Sequence, residues 1–451
     1  MTPRIFFCTT CKNRAEYLKQ TLPSNLAGNR YAKTLLLNYN SQDDLEDYIK
    51  DKQERDVEAG RLIVYRFTEP GPFRMAHAKN LAHRLALREG ADLLVNMDAD
   101  NFAGEHFDKY VAEQFHRGSR QFLWGRMIKD GSMTRGITGR IAVTRAGFLL
   151  AGGYDEKYCT WSPDDKDFNA RLRGLGYRPE EIPRKFLNAL PHNQKVRFKE
   201  YPHAKCSDKD YYDDPNYKPS HLIANAGRVG CGVVYRNFGR DPVEVTPIAT
   251  RVFGIGMHKT ATTSLHGAFG ILGYDSAHWT TAHWAKAIWE EVKQKGPFVR
   301  LDGRSPTLEK HYAICDLPIP LLYRELDEIY PGSKFILTIR EEKDWLESVR
   351  NHWTHNNRYR KQWDNDPFTH KVHRELYGQK WFDPEVMVNR YRHHNTEVRE
   401  YFKDRPQDLL VMDMSKETTG WYELCGFLNE RIPEAPYPHH FASKFGHGGG
   451  I

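Results

Sequence analysis

Phe253-Gly254-Ile255-Gly256-Met257-His258-Lys259-Thr260-Ala261-Thr262-Thr263-Ser264-Leu265 decides the fold of the second half of the chain. Its apolar opening reads as a strand, and a helix is expected from about Thr263. Glycine allows close backbone approach, free N–H groups at a helix start attract an anion, and a lysine with hydroxyls completes the cradle. The stretch invites comparison with the phosphate loop GxxxxGK[ST], but His258, not glycine, precedes Lys259. A nucleoside triphosphatase also needs an apolar strand ending in Asp to organise Mg²⁺. Here Lys334-Phe335-Ile336-Leu337-Thr338-Ile339 runs into Arg340. An arginine there suits a bound phosphate, which argues against a metal-dependent kinase or ATPase.

Working outward, Ser348 follows Arg340 by eight positions with Trp345 between them, and two and a bit helical turns bring it round towards the strand end. Gly420-Trp421-Tyr422-Glu423-Leu424-Cys425-Gly426-Phe427-Leu428, then Pro433 and Tyr437-Pro438, follow later. Over about residues 250–440 this set resembles sulfotransferases that use 3′-phosphoadenosine 5′-phosphosulfate (PAPS). The resemblance implies a P-loop-like domain with a central parallel sheet. It also implies a 5′-phosphosulfate loop holding the donor through Gly256, Lys259, Thr260, Thr262 and Thr263, with Arg340 and Ser348 on the 3′-phosphate. Sulfuryl transfer loads charge onto the bridging oxygen of the leaving nucleotide, so Lys259 is the expected catalytic ammonium. The acceptor hydroxyl needs a base. The family's HLP-like element corresponds to Cys315-Asp316-Leu317-Pro318, which makes Asp316 the candidate. A structural pairing of Asp316 with Arg304 or Arg324 stays open, as do His258, His278 and His311, as bases or as ordinary polar loop residues.

The first half opens in the same way: an apolar strand at Arg4–Cys8, a polar loop at Thr9–Arg14, and a helix from about Ala15. Leu35–Leu37 reads as a second strand running into Asn38-Tyr39-Asn40-Ser41-Gln42-Asp43-Asp44, where short polar side chains can bind a base and ribose. Leu93-Leu94-Val95-Asn96-Met97-Asp98-Ala99-Asp100-Asn101 is an apolar strand ending in two carboxylates one residue apart, hard oxygen ligands suited to a cation bridging a diphosphate. Gly152-Gly153-Tyr154-Asp155-Glu156 and Trp161-Ser162-Pro163-Asp164-Asp165-Lys166-Asp167 lead into another helix.

With His77-Ala78-Lys79-Asn80 between them, these pieces resemble family-2-type GT-A glycosyltransferases over about residues 1–200, in particular the branch with chondroitin-polymerase and polypeptide GalNAc-transferase-like domains. The resemblance implies Asp98 and Asp100 as metal and diphosphate ligands with His192 as a third metal ligand. It sets Asp43, Asp44 and Lys79 on the donor side and Asp165 as general base of an inverting displacement. Asp164-Asp165 stands where the family has Glu-Asp. Trp161 is a candidate acceptor platform.

The chain has 451 residues, enough for two or three domains. The expected boundary lies near Asp241–Pro247, giving a GT-A domain over 1–245, extended from about 205, and a sulfotransferase domain over 246–451. Hydrophobic residues at 39% and charged ones at 28% suit a soluble globular protein, and the two strand–loop–helix openings make both domains α/β. No run approaches the roughly 20 apolar residues of a membrane span, and no leader is read at the start. This leaves peripheral membrane association as the form of membrane contact. Seven cysteines, odd in number and scattered, indicate a reducing, cytoplasmic compartment; Cys8 and Cys11 lack a second pair to complete a zinc site. The net charge of +7 is spread without a dense basic block, which argues against nucleic acid as a partner. The glycine-rich tail is expected to be disordered.

The expected whole is a bifunctional glycan-modifying enzyme. It would transfer a sugar from a nucleotide-sugar, a UDP-sugar above all, with Mn²⁺ or Mg²⁺. It would also transfer a sulfuryl group from PAPS to a hydroxyl of a glycan or polysaccharide acceptor. The alternatives are a sulfotransferase with a non-catalytic carbohydrate-binding first half, and a nucleotide-binding scaffold without turnover.

Overall fold

A computed structural model describes residues 3–115, 120–125, 137–158, 163–191, 219, 221–279, 281–293, 305–354, 366–416 and 418–439. The chain is mixed α/β and divides into two units, Met1–Ile248 and Ala249–Ile451.

Four parallel strands form the centre of the first unit: β1 (Ile5–Cys11), β2 (Lys33–Tyr39), β3 (Leu62–Phe67) and β4 (Leu93–Asp98). Their near-continuous apolar runs are buried on both faces, as parallel strands require. Then follow β5 (Gln121–Trp124), β6 (Ile141–Thr144), β7 (Arg178–Glu181), β8 (Gly232–Arg236) and β9 (Pro242–Val245). The sheet order is β9-β8-β3-β2-β1-β4-β6-β5-β7. The β8–β9 hairpin joins antiparallel to β3 and widens the sheet. Helix α1 (Ala15–Gly28) follows β1, α2 (Met75–Arg88) packs almost wholly buried over β1 and β2, and α3 (Asp164–Gly174) carries the late acidic cluster.

The second unit holds a parallel sheet of β10 (Val252–Gly254), β11 (Ser276–Ala277), β12 (Ala313–Cys315), β13 (Lys334–Ile339) and β14 (Leu409–Asp413), in the order β11-β12-β10-β13-β14. With β10 between β12 and β13, the chain leaves the sheet's middle in both directions, the arrangement that opens a crevice at the strands' carboxyl ends. Helix α4 (Thr262–Ile271) follows β10, α5 (Glu342–Thr354) follows β13, and α6 (Pro367–Tyr377) and α7 (Pro384–Tyr401) pack against α5 and each other. Phe253, Phe335, Leu337, Trp345 and Tyr391 belong to the core beneath the crevice.

Candidate active sites

In the second unit the loop from Gly256 leaves β10 and turns sharply into α4. A Cβ on Gly256 would collide with the side-chain and carbonyl oxygens of Thr338 on β13, so only glycine fits. Lys259 and Ala261 adopt left-handed backbone, φ 67° and 68°, unusual for side-chain-bearing residues. Thr260 locks the turn, donating to the Met257 carbonyl at 2.5 Å and meeting Thr338 Oγ1 at 2.7 Å. Thr260 is therefore a buried brace, whereas Thr262 and Thr263 sit in the first turn of α4.

Arg340 extends from the end of β13 and its Nη1 donates to the Lys259 carbonyl at 3.4 Å. Tyr391, which the sequence reading missed, fixes Arg340: its hydroxyl accepts from the Arg340 N–H and donates to the Arg340 carbonyl, both at 2.8 Å. Trp345 stacks on Tyr391 at 4.2 Å and donates from Nε1 to the His258 carbonyl at 3.0 Å, tying α5 to the loop. Ser348 lies half-buried on the same helix. Lys259 and Arg340 have no carboxylate ion pair among the described residues. Burial lowers the Lys259 ammonium and Arg340 adds to this, while Asp316 opposes it.

Asp316 also has left-handed backbone, φ 75°, directly after β12. Its Oδ2 lies 3.3 Å from His278 Nε2, and the same nitrogen lies 3.1 Å from Thr262 Oγ1. His278 thus joins the site from the end of β11. The other two histidines go elsewhere. His258 is buried against Trp353 and the Tyr377 hydroxyl, with burial and then His352 holding it well below its ordinary value. His311 pairs with Asp275 at 2.9 Å. Arg324 stacks on Tyr323 and Tyr401. Arg304 and the glycine-rich tail lie outside the described residues.

In the first unit Asp98 ends β4. Its Oδ2 lies 3.0 Å, and Asp165 Oδ2 2.9 Å, from where a Cβ on Gly139 would stand, so both carboxylates face one small space that glycine leaves open. Asn96 Nδ2 donates to Asp98 Oδ1 at 3.3 Å and to the Gly139 carbonyl at 2.9 Å, holding this wall together. Lys79, on α2, donates to Asp164 Oδ2 at 2.8 Å and to Asp165 Oδ1 at 2.6 Å. Lys79 and Asp164 side chains are 1% and 3% exposed, Asp165 22%, so Asp165 is the member of the pair that meets solvent. Burial alone would lower Lys79, but Asp164, Asp165 and Asp98 outweigh it and keep the ammonium well above its usual range. Burial, then Asp164, push Asp165 up to about 7 against the pull of Lys79. Burial also raises Asp98, which Lys79 opposes. The Tyr154 hydroxyl is buried without a hydrogen-bond partner among the described residues and interacts with the charges of this same group.

Asp100 is buried and accepts from Asn101 Nδ2 at 2.7 Å; Asn101 in turn accepts from Arg140 at 2.9 Å. Leu190 N–H donates to the Asp100 carbonyl at 2.8 Å, but His192 lies outside the described residues, as does Trp161. Asp43 accepts from the Ala15 N–H at 2.8 Å, capping the start of α1, and Asp44 pairs with Lys19. The carboxylates of Asp98 and Asp100 have the chemistry of ligands for a hard divalent cation, and Asp98 borders the space at Gly139. Among the described residues no group of three or more His, Cys, Asp or Glu assembles that could hold a metal by itself.

Residues 251–444, which hold the crevice and loop of the second unit, match the family model of the sulfotransferase domain, and this supports a transferase. A curated relative, Ava biosynthesis cluster protein M of Aspergillus versicolor, is 27% identical over 217 residues, which are 42% of this chain and 80% of that protein. Among solved structures, the mannosyltransferase PcManGT from Pyrobaculum calidifontis, in complex with GDP-Man and Mn2+, aligns at 17% identity and a TM-score of 0.35. That alignment covers 43% of this chain and 59% of the mannosyltransferase chain, and the likeness is too slight to carry an inference. No described helix is long and apolar enough to cross a membrane.

Proposed function

We propose that the second unit transfers a sulfuryl group from PAPS to an acceptor hydroxyl. The observation that carries this reading is the pair of cations, Lys259 and Arg340, joined through the Lys259 carbonyl and without a carboxylate partner among the described residues. Cations gathered at strand ends and a helix start, and left without acidic partners, suit a polyanionic nucleotide. Lys259 neutralises the charge that grows on the bridging oxygen as the S–O bond breaks. Loop N–H groups with Thr262 and Thr263 hold the 5′-phosphate; Arg340 and Ser348 hold the 3′-phosphate. Titration calorimetry with adenosine 3′,5′-bisphosphate and adenosine 5′-phosphate tests this. Preference for the bisphosphate supports it, and equal affinity sinks it.

The first unit is assigned, as the second part of the same proposal, inverting glycosyl transfer from a nucleotide-sugar, with a UDP-sugar tried first. Support comes from Asp98 and Asp165 facing one space beside Gly139. Asp98 and Asp100 would hold Mn²⁺ or Mg²⁺, with His192 as a further ligand; such an ion, when bound, neutralises the departing diphosphate. Asp165 receives the acceptor proton, and Lys79 holds its carboxylate in place. Both halves then act on glycans, and a cytoplasmic setting is part of the proposal. One observation favours a non-catalytic first half instead: Lys79 already satisfies both Asp164 and Asp165. Thermal shift with UDP-, GDP- and CMP-sugars, with and without Mn²⁺, followed by a donor-hydrolysis assay, separates the two readings.

A further inference from the structure

We infer that His278 is the group that takes the acceptor's proton in the second unit, with Asp316 acting through it as a positioning residue. This rests on the sulfotransferase reading and refines it, because the loop pattern makes Asp316 the candidate base and leaves His278 open as one of three histidines.

The inference starts from connectivity. β11, β12 and β10 are neighbours in one parallel sheet, so the residues just past their ends, His278, Asp316 and the Gly256–Thr263 loop, meet at one edge. His278 is 22% exposed and Asp316 13%, so the ring has access to solvent while the carboxylate behind it is largely covered. Nε2 faces both Asp316 Oδ2 at 3.3 Å and Thr262 Oγ1 at 3.1 Å. Nδ1 has no hydrogen-bond partner among the described residues. The His266 ring, 5.7 Å away, is turned to Ser276 through its own Nδ1. With hydrogen on Nε2, bonded to Thr262 Oγ1 beside the Asp316 carboxylate, the lone pair of Nδ1 is the open basic site. A carboxylate that fixes the tautomer of a histidine and steadies its imidazolium is a general device of hydroxyl activation.

The step balances as follows. The acceptor oxygen forms a bond to sulfur as the bond from sulfur to the bridging oxygen breaks. The hydroxyl proton passes to His278 Nδ1, the resulting imidazolium is stabilised by Asp316, and the proton leaves to solvent. Adenosine 3′,5′-bisphosphate departs with its new charge beside Lys259. Asp316, after β12, and Lys259, in the loop after β10, both adopt left-handed backbone at the ends of neighbouring strands.

The test uses the full chain with radiolabelled PAPS and three acceptors: methyl β-D-galactopyranoside, water and 4-nitrophenolate, whose oxygen arrives already deprotonated. His278→Ala is expected to lose about 100-fold or more in kcat with the sugar alcohol and with water. KM and the affinity for adenosine 3′,5′-bisphosphate should change little, and transfer to 4-nitrophenolate should persist. Asp316→Asn follows the same pattern with a smaller loss, and added imidazole restores part of the His278→Ala turnover. Equal losses on all acceptors, or no loss on any, overturn the role of His278. A wild-type chain that fails to bind adenosine 3′,5′-bisphosphate overturns the PAPS reading instead.

Discussion

Lys79 reaches across the first unit to Asp165, 86 residues later, with Nζ 2.6 Å from Oδ1, and shares its charge with the more deeply buried Asp164. A buried ammonium between two carboxylates is held by mutual neutralisation, so removing it leaves uncompensated charge in a poorly solvated place. Lys79→Met should therefore destabilise the first unit by about 3–5 kcal/mol. Lys79→Met with Asp164→Asn should recover part of that. Chemical denaturation of the three proteins checks it, and unchanged stability in Lys79→Met would show that the pair contributes nothing.

Lys259→Ala should lower sulfuryl transfer by roughly 100- to 1,000-fold in kcat, the usual cost of losing one group that meets developing charge. Affinity for adenosine 3′,5′-bisphosphate should fall far less. Single-turnover assays paired with calorimetry measure both, and matching losses would assign Lys259 to binding alone.

Arg340→Met should weaken adenosine 3′,5′-bisphosphate by roughly 10- to 100-fold, since one charged hydrogen bond contributes about 1.5–3 kcal/mol. Adenosine 5′-phosphate, lacking the 3′ group, should bind almost as before. Competition binding with the two nucleotides reads this difference directly.

Gly139→Ala puts a methyl group into the space between Asp98 and Asp165. The ends of two carboxylates can shift, so the fold should survive while Mn²⁺-dependent stabilisation by the nucleotide-sugar disappears. Treating the unaltered protein with EDTA should abolish the same stabilisation and leave that by adenosine 3′,5′-bisphosphate intact. Retained Mn²⁺ dependence in Gly139→Ala would separate this space from the donor site.

Acid should weaken the second unit before most carboxylates are protonated. Burial lowers His352, His373 and His394 from an ordinary value of 6.5 to about 4. In that window the unfolded chain binds protons that the folded chain refuses, so stability is full above pH 6.5 and falls as pH drops towards 4. Proton uptake on unfolding at pH 5, measured by calorimetry in buffers of different ionisation enthalpy, checks the sign. His394→Gln should blunt the effect, since the glutamine amide can donate to the Ile255 carbonyl as the His394 ring does.

The strand ends were legible in the sequence because local pattern alone determines them: an apolar run stopping at Asp98, at Gly254 or before Arg340 announces a parallel strand and the residues at its mouth. The helix starts near Ala15 and Thr262 followed from the same logic. Partnerships were not legible. Nothing within a few residues of Lys79 indicates that Asp164 and Asp165 will neutralise it, and Tyr391 lies 51 residues from the arginine it fixes. His278 looked equivalent to His258 and His311 because all three read as polar loop residues in the sequence. Only sheet order, which sets β11 beside β12, distinguishes it. Asp43 and Asp44 show the converse, since an acidic loop that suits a ligand also suits a helix start and a nearby lysine.

The β8–β9 hairpin decides where the two halves can be expressed separately. Cutting the chain after Ile248 leaves every strand of the first sheet with its neighbours. Cutting before Gly232 strips β3 of its antiparallel cover and bares a row of backbone donors and acceptors along Leu62–Phe67. Such an open margin recruits strands from other molecules, so that shorter fragment should precipitate even though every residue of the carboxylate cluster remains in it.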